Sequence, residues 1–216
     1  MIMNRNTSIG LFLIVMGISL MTMVSHFRSE DGDTGFTKKE LEILDNTDSI
    51  MRVLTIDNDD DLRILRKSST NLDDKTLLSE DFARLCRLMI ATVTHPSQDG
   101  VGIAAPQVGL NRRVVAVQRF DKEGEPFEVY PNIRIIWASD TLATGSEGCL
   151  SVPDRSGEVK RSQEIEIEYT ALPSSAKNAE LPLPAVRETI SGFTAVIFQH
   201  EVDHLDGVLY IDRVSE

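Results

Sequence analysis

His200 and His204 stand four residues apart, with Glu201 beside the first, in the run Gln199-His200-Glu201-Val202-Asp203-His204. On a helix that spacing stacks both imidazoles on one face, where they can bind a single metal ion, and puts Glu201 within reach of a water on it. A divalent ion brings the pKa of such a water towards ~7, and a neighbouring carboxylate then shuttles the proton. Two imidazoles leave the site short of a ligand. Cys149, in Gly145-Ser146-Glu147-Gly148-Cys149-Leu150-Ser151, lies in a segment of small residues whose thiolate can approach a metal. Cys plus two His makes three protein ligands with one position open. A third stretch, Gly100-Val101-Gly102-Ile103-Ala104-Ala105-Pro106-Gln107, has neither the Lys-Ser/Thr of a P-loop nor the glycine spacing of a dinucleotide fold. Its small side chains let a substrate backbone lie close, and Gln107 offers an amide donor to a developing oxyanion.

The elements that must position these groups follow from periodicity. Residues 193–205 are apolar at 193, 196, 197, 198, 202 and 205, and Gly207 follows as a stop, which predicts a buried helix. Residues 77–93 carry a helical stripe with Ser79 as its cap, which leaves Cys86 on the flank as a packed thiol. Strands are expected at 52–56, 113–118, 126–138 and 159–169, with a small-residue loop over 100–109. Few helices and many antiparallel-looking strands predict an α+β domain.

The chain has 216 residues, 41% hydrophobic and 26% charged, enough for one domain with a core plus attachments. A net charge of −12 argues against a nucleic-acid partner, since nothing displaces phosphate counterions. Two cysteines make no disulfide framework. Residues 9–24 are apolar all round, with Arg5 before them. As a helix they span ~24 Å, against a hydrocarbon core of ~30 Å. They read as a signal segment or short membrane anchor within residues 1–28, which predicts a membrane-anchored or exported protein; a cytoplasmic location is the alternative. Between residues 29 and 61 eleven Asp/Glu face three Lys/Arg. Residues 29–50 read as an acidic linker holding a short helix over 37–44. The run at 57–61 lacks EF-hand ligand spacing and reads as a solvated loop.

Taken in this order, the motifs G-x-G-x-A-A-x-Q (100–107), E-G-C-L-S (147–151) and Q-H-E-x-D-H (199–204) resemble those of the peptide deformylases. The resemblance spans about residues 51–213 and makes 51–216 the catalytic domain. It implies antiparallel sheets wrapped around a central metal-binding helix. It implies Cys149, His200 and His204 as metal ligands, Glu201 as general acid/base, and an oxyanion hole of Gln107 and the Leu150 N–H. Val101, Gly102 and Gly148 would meet the peptide backbone, Val196 and Ile197 would line a methionine pocket, and Glu147 would pair with Arg161. The implied cofactor is Fe(2+), with Zn(2+) as the alternative. The implied reaction is attack by a metal-activated hydroxide on the formyl group of an N-formylmethionyl peptide or nascent chain. Two places depart from the family pattern: Tyr130-Pro131 stands where Asn-Pro is common, and Ser156, with Arg155 adjacent, stands near the position where many members carry a substrate-binding arginine. Two rival readings are a thermolysin-like zinc peptidase, whose third ligand would have to be Asp206, Asp212 or Glu216, and a non-catalytic, membrane-tethered binding module.

Overall fold

All named strands pair antiparallel, as short connections between alternating segments predict. The computed structural model describes residues 35–214. Helices α1 (Lys38–Asp45), α2 (Asp59–Leu65), α3 (Asp74–Leu77) and α4 (Glu80–Val93) come first. Strands β1 (Gly102–Ala104), β2 (Val114–Gln118), β3 (Phe127–Pro131) and β4 (Arg134–Ala138) follow. Next are β5 (Leu142–Cys149), β6 (Val152–Ser162), β7 (Glu164–Thr170) and β8 (Ala185–Ser191), and then helix α5 (Gly192–Leu205). The sheets are ordered β1-β2-β3 and β4-β7-β8, with β5-β6 as a hairpin. Helix α5 packs on strands of all three, so the α+β fold around a central helix is as expected.

Ala195, Ile197, Phe198, Val202 and Leu205 of α5 are buried among Val115, Val117, Ile165, Ile167 and Ile190. Removing each large apolar side chain from water contributes about 1.5–3 kcal/mol. The helix ends where Gly207 turns to φ +74, and a Cβ there would meet the Arg66 carbonyl oxygen at 2.5 Å, so only glycine fits. Helix α4 begins at Ser79, whose hydroxyl accepts from the Phe82 N–H, and turns Leu85, Met89 and Val93 into a second core. Cys86 packs beside that core, and burial pushes its thiol up to about 12.

Several local expectations need correction. Residues 52–56 form no strand, and Ile56 already opens a turn: the Leu54 N–H donates to the Gln107 carbonyl (2.8 Å) and the Ile56 N–H to the Ser151 carbonyl (3.0 Å). The segment is a strap across two parts of the site. The loop expected at 100–109 holds β1 and a 3-10 turn over Ala105–Val108, because Gly102–Ala104 finds a partner in β2. Residues 126–138 divide into β3 and β4 at Asn132 (φ +55), and 159–169 divides between β6 and β7. Strand β8 has no counterpart among the strands expected from the sequence.

The acidic stretch is also structured where it is described. Asn58 caps α2, and Asp61, expected in a solvated loop, is buried against Arg52 at 2.6 and 2.7 Å. Helix α1 opens with a capping box of Thr37 and Glu40, buries Leu41 and Leu44, and pairs Glu40 with the buried Arg112 guanidinium at 2.8 and 2.9 Å. Residues 35–50 thus pack as part of the domain and not as a linker. The anchor expected over 1–28 and the start of the linker, 29–34, lie outside the described residues. Among the described residues no helix is long and apolar enough to cross a membrane.

Candidate active site

The β5–β6 hairpin narrows at an irregularity between Gly148 and Cys149, which turns Cys149 towards α5. Its Sγ lies 3.2 Å from His204 Nε2. The candidate ligand atoms of Cys149, His200 and His204 all lie within 4.8 Å of one another. Among the described residues this is the one His/Cys/Asp/Glu group so arranged. Metal–sulfur bonds of about 2.3 Å and metal–nitrogen bonds of about 2.0–2.1 Å need donor atoms this close, so the set fits a tetrahedral divalent ion with one position open.

The surrounding side chains fix these donors. His200 Nδ1 is 2.8 Å from Glu147 Oε2, which leaves Nε2 for a metal. Arg161 grips Glu147 through Nε (2.7 Å) and Nη2 (2.9 Å), as the resemblance implies. Burial opposes ionisation of Glu147, but Arg161 and then His200 hold its carboxyl down to about 2. Burial also disfavours protonated His200, yet its bonds to Cys149 and Glu147 raise it to about 10. His204 moves the other way, well below the ordinary range, through burial and the positive charges of His200 and Arg161.

Glu201 is buried, and among the described residues its Oε2 has no hydrogen-bond partner. The carboxylate rests against Gly102, where a Cβ would stand 2.5 Å from Oε1. Any larger residue at 102 would displace it. Burial pushes its carboxyl up to about 7, with His200 opposing and Glu147 adding. Gln107 is fixed as well. Its Oε1 accepts from the Ala104 N–H (2.9 Å), so its Nε2 faces Cys149 Sγ (3.5 Å) and Ser151 Oγ (3.3 Å).

A cavity of about 400 Å³ opens over these groups. Val101, Gly102, Gly148, Leu150, Val196 and Ile197 line it together with Gln107, Cys149, His200 and Glu201. His204 closes the cluster from below, buried. Every sequence-derived site residue therefore falls in one place. Neither Arg155 nor Ser156 lines the cavity; both are exposed on β6. Sequence reasoning misses Phe193, the 54–56 strap, and Asp203 with Arg213. Asp203 carries a signal, a second acid beside Glu201 in a helix buried over much of its length. Of the ligands that the peptidase alternative would need, Asp206 pairs with Arg113 and Asp212 with Arg66, and Glu216 lies outside the described residues.

The family model described as polypeptide deformylase matches residues 50–216. A peptide deformylase of Leptospira biflexa serovar Patoc is 33% identical over 174 residues, 77% of this chain and 89% of that protein. The Met-Ala-Ser-bound crystal structure of a class I type b peptide deformylase from Acinetobacter baumannii is similar at a TM-score of 0.64 and 32% identity, over 78% of this chain and 100% of that one. The peptide deformylase of Thermotoga maritima is similar at a TM-score of 0.64 and 31% identity, over the same shares.

Proposed function

The chain belongs to the polypeptide deformylase family and is a hydrolase that removes formyl groups from peptides; on that premise we propose that it acts on N-formylmethionyl chains, that Cys149, His200 and His204 hold its metal, and that Glu201 moves the proton. One observation carries the assignment of roles. The Glu201 carboxylate is buried on Gly102 with one oxygen unpartnered, next in sequence to His200 and at the wall of the cavity.

Cys149, His200 and His204 would hold a divalent cation, which would supply Lewis-acid polarisation and acidify a water molecule. The remaining work falls to the chain itself. Glu201, with its proton affinity raised by burial, is matched to taking a proton near neutral pH and passing it to the leaving amine. Gln107 Nε2 and the Leu150 N–H donate to the charge that develops on the formyl oxygen. The open edge of β1 at Val101 and Gly102, with Gly148 on β5, receives the peptide backbone as an added strand. Val196 and Ile197, with Phe193 at the mouth, enclose the methionine side chain. A relative bound to Met-Ala-Ser supports that pocket.

The resemblance puts ferrous iron first and zinc second, and a Cys-His-His donor set accommodates either. Residues 9–24 are read as directing the chain to a membrane, ahead of a catalytic domain over 51–216 to which residues 35–50 are packed. The deciding assay is formate release from formyl-Met-Ala-Ser by the full chain loaded with defined metal. Turnover that disappears on chelation and returns with added metal is expected. Absence of formate release at stoichiometric metal overturns the reading, and cell fractionation tests the location.

A further inference from the structure

Arg213 stands outside the three motifs, after a 3-10 turn at Tyr210–Asp212, yet it is joined to the metal site by unbroken hydrogen bonds. Its Nε and Nη2 meet the two Asp203 oxygens at 2.5 and 2.6 Å. Asp203 Oδ2 also accepts from Arg161 Nη1 at 2.6 Å. The other Arg161 nitrogens hold both oxygens of Glu147, whose Oε2 meets His200 Nδ1. We propose that Arg213 is a positioning residue for the metal site: by sharing Asp203 it leaves Arg161 free to hold Glu147 against His200.

Charge balance gives the reason. Two guanidinium groups alternate with two carboxylates, and Arg161 serves both carboxylates at once. Without Arg213, the nearly buried Asp203 has Arg161 as its remaining cation in this chain of bonds and draws it away from Glu147. The Glu147 carboxylate then loses half its clamp, and His200 loses the fixed acceptor that sets its ring orientation. The Arg213 side chain is 46% exposed, so its removal leaves no internal void. A separate tie holds the same C-terminal segment: Arg66 bonds Asp212 and the Gly207 carbonyl. The two ties can therefore be cut independently.

The proposal rests on the reading of Cys149, His200 and His204 as metal ligands. Full-length wild-type, Arg213→Ala, Arg213→Lys and Arg66→Ala chains would be loaded with cobalt(II), and both the visible spectrum and the affinity against a competing chelator measured. Loss of an outer partner of a ligating histidine costs 10–100-fold in metal affinity, so Arg213→Ala is expected to lose about tenfold and to shift the cobalt bands. Arg213→Lys should recover part of that loss, and Arg66→Ala should stay within about twofold of wild type. An Arg213→Ala chain within about twofold of wild type overturns the proposal, as does an equal loss in Arg66→Ala. Should Arg213→Ala not fold, Arg213→Gln reads the same quantity by the same criterion. A wild-type chain that holds no cobalt overturns the metal reading itself, and the role of Arg213 with it.

Discussion

Two buried arginines flank helix α5 and make almost the same bonds to different ends. On one side Arg161 joins Glu147 and Asp203, and the chain of contacts stops at His200. On the other side Arg119 joins Asp121 at 2.8 and 2.6 Å, Glu188 at 2.6 Å, and the Tyr130 hydroxyl. Its guanidinium lies over the rings of Tyr130 and Phe198, 5.9 and 5.8 Å from their centroids. Phe198 and His200 are two residues apart and point to opposite sides. The difference between the clusters lies in the last group reached. An imidazole in the candidate ligand set can pass its orientation on to a metal, whereas a phenyl ring passes on only packing. The Arg161 side should therefore govern activity and the Arg119 side stability. Tyr130, a departure from the family pattern, falls on the stability side.

The sharpest test of that division is Glu201→Gln. General acid/base catalysis contributes about 10²–10⁴-fold, so kcat/KM should fall by that factor with metal retained. The melting temperature should hold or rise, because a buried carboxylate with one oxygen unpartnered among the described residues disappears. A variant that keeps more than about a tenth of the activity removes Glu201 from the role. Arg119→Met should do the reverse. The carboxylates of Asp121 and Glu188 stay partly solvated when their buried cation is lost, so the cost is about 1–3 kcal/mol, read by urea unfolding, while turnover per folded molecule stays unchanged. Lost turnover in the folded fraction would break the comparison.

Gln107→Ala belongs to the activity side and should act mainly on kcat, by about 2.7–4 kcal/mol, as expected of an oxyanion donor. A change confined to KM would make Gln107 a ground-state peptide contact. The smallest effect is acid sensitivity. Arg119, against the opposing effect of burial, holds the Asp121 carboxyl at about 2 instead of 3.8. A depressed carboxyl stabilises the fold above its unfolded pKa and loses that contribution as pH falls through the folded one. Melting temperature should thus drop between about pH 4 and pH 2, less steeply in Asp121→Asn. Glu147 is held down to the same range, so the slope should be reduced and not abolished. An unaltered slope in Asp121→Asn would show that the Arg119 pair is not the acid-labile one.

The candidate metal set is legible in the sequence because coordination chemistry demands particular residue types. Imidazoles four apart on an apolar run, and a thiol among small residues, state their use in one dimension. Glu147 with Arg161 comes from resemblance alone, since nothing local distinguishes that pair from other Glu and Arg residues in the chain. Helix α1 reads as part of a linker because the charged side chains around it outweigh Leu41 and Leu44, whose burial depends on a core assembled from later segments. The run at 57–61 misleads for the same reason: Asp61 looks solvated until Arg52 folds onto it.

Residue types and spacings were thus enough to say which atoms could hold a metal, which carboxylate could move a proton, and that the class is α+β. Folding in three dimensions was needed to settle that Gly102 makes room for Glu201, that Leu54 and Ile56 strap the carbonyls of Gln107 and Ser151, and that Arg213 reaches Asp203. Ligand chemistry is written in residue type and short spacing. Close approach and charge sharing arise only when distant segments meet, and a carboxylate carries no mark of which arginine it will find.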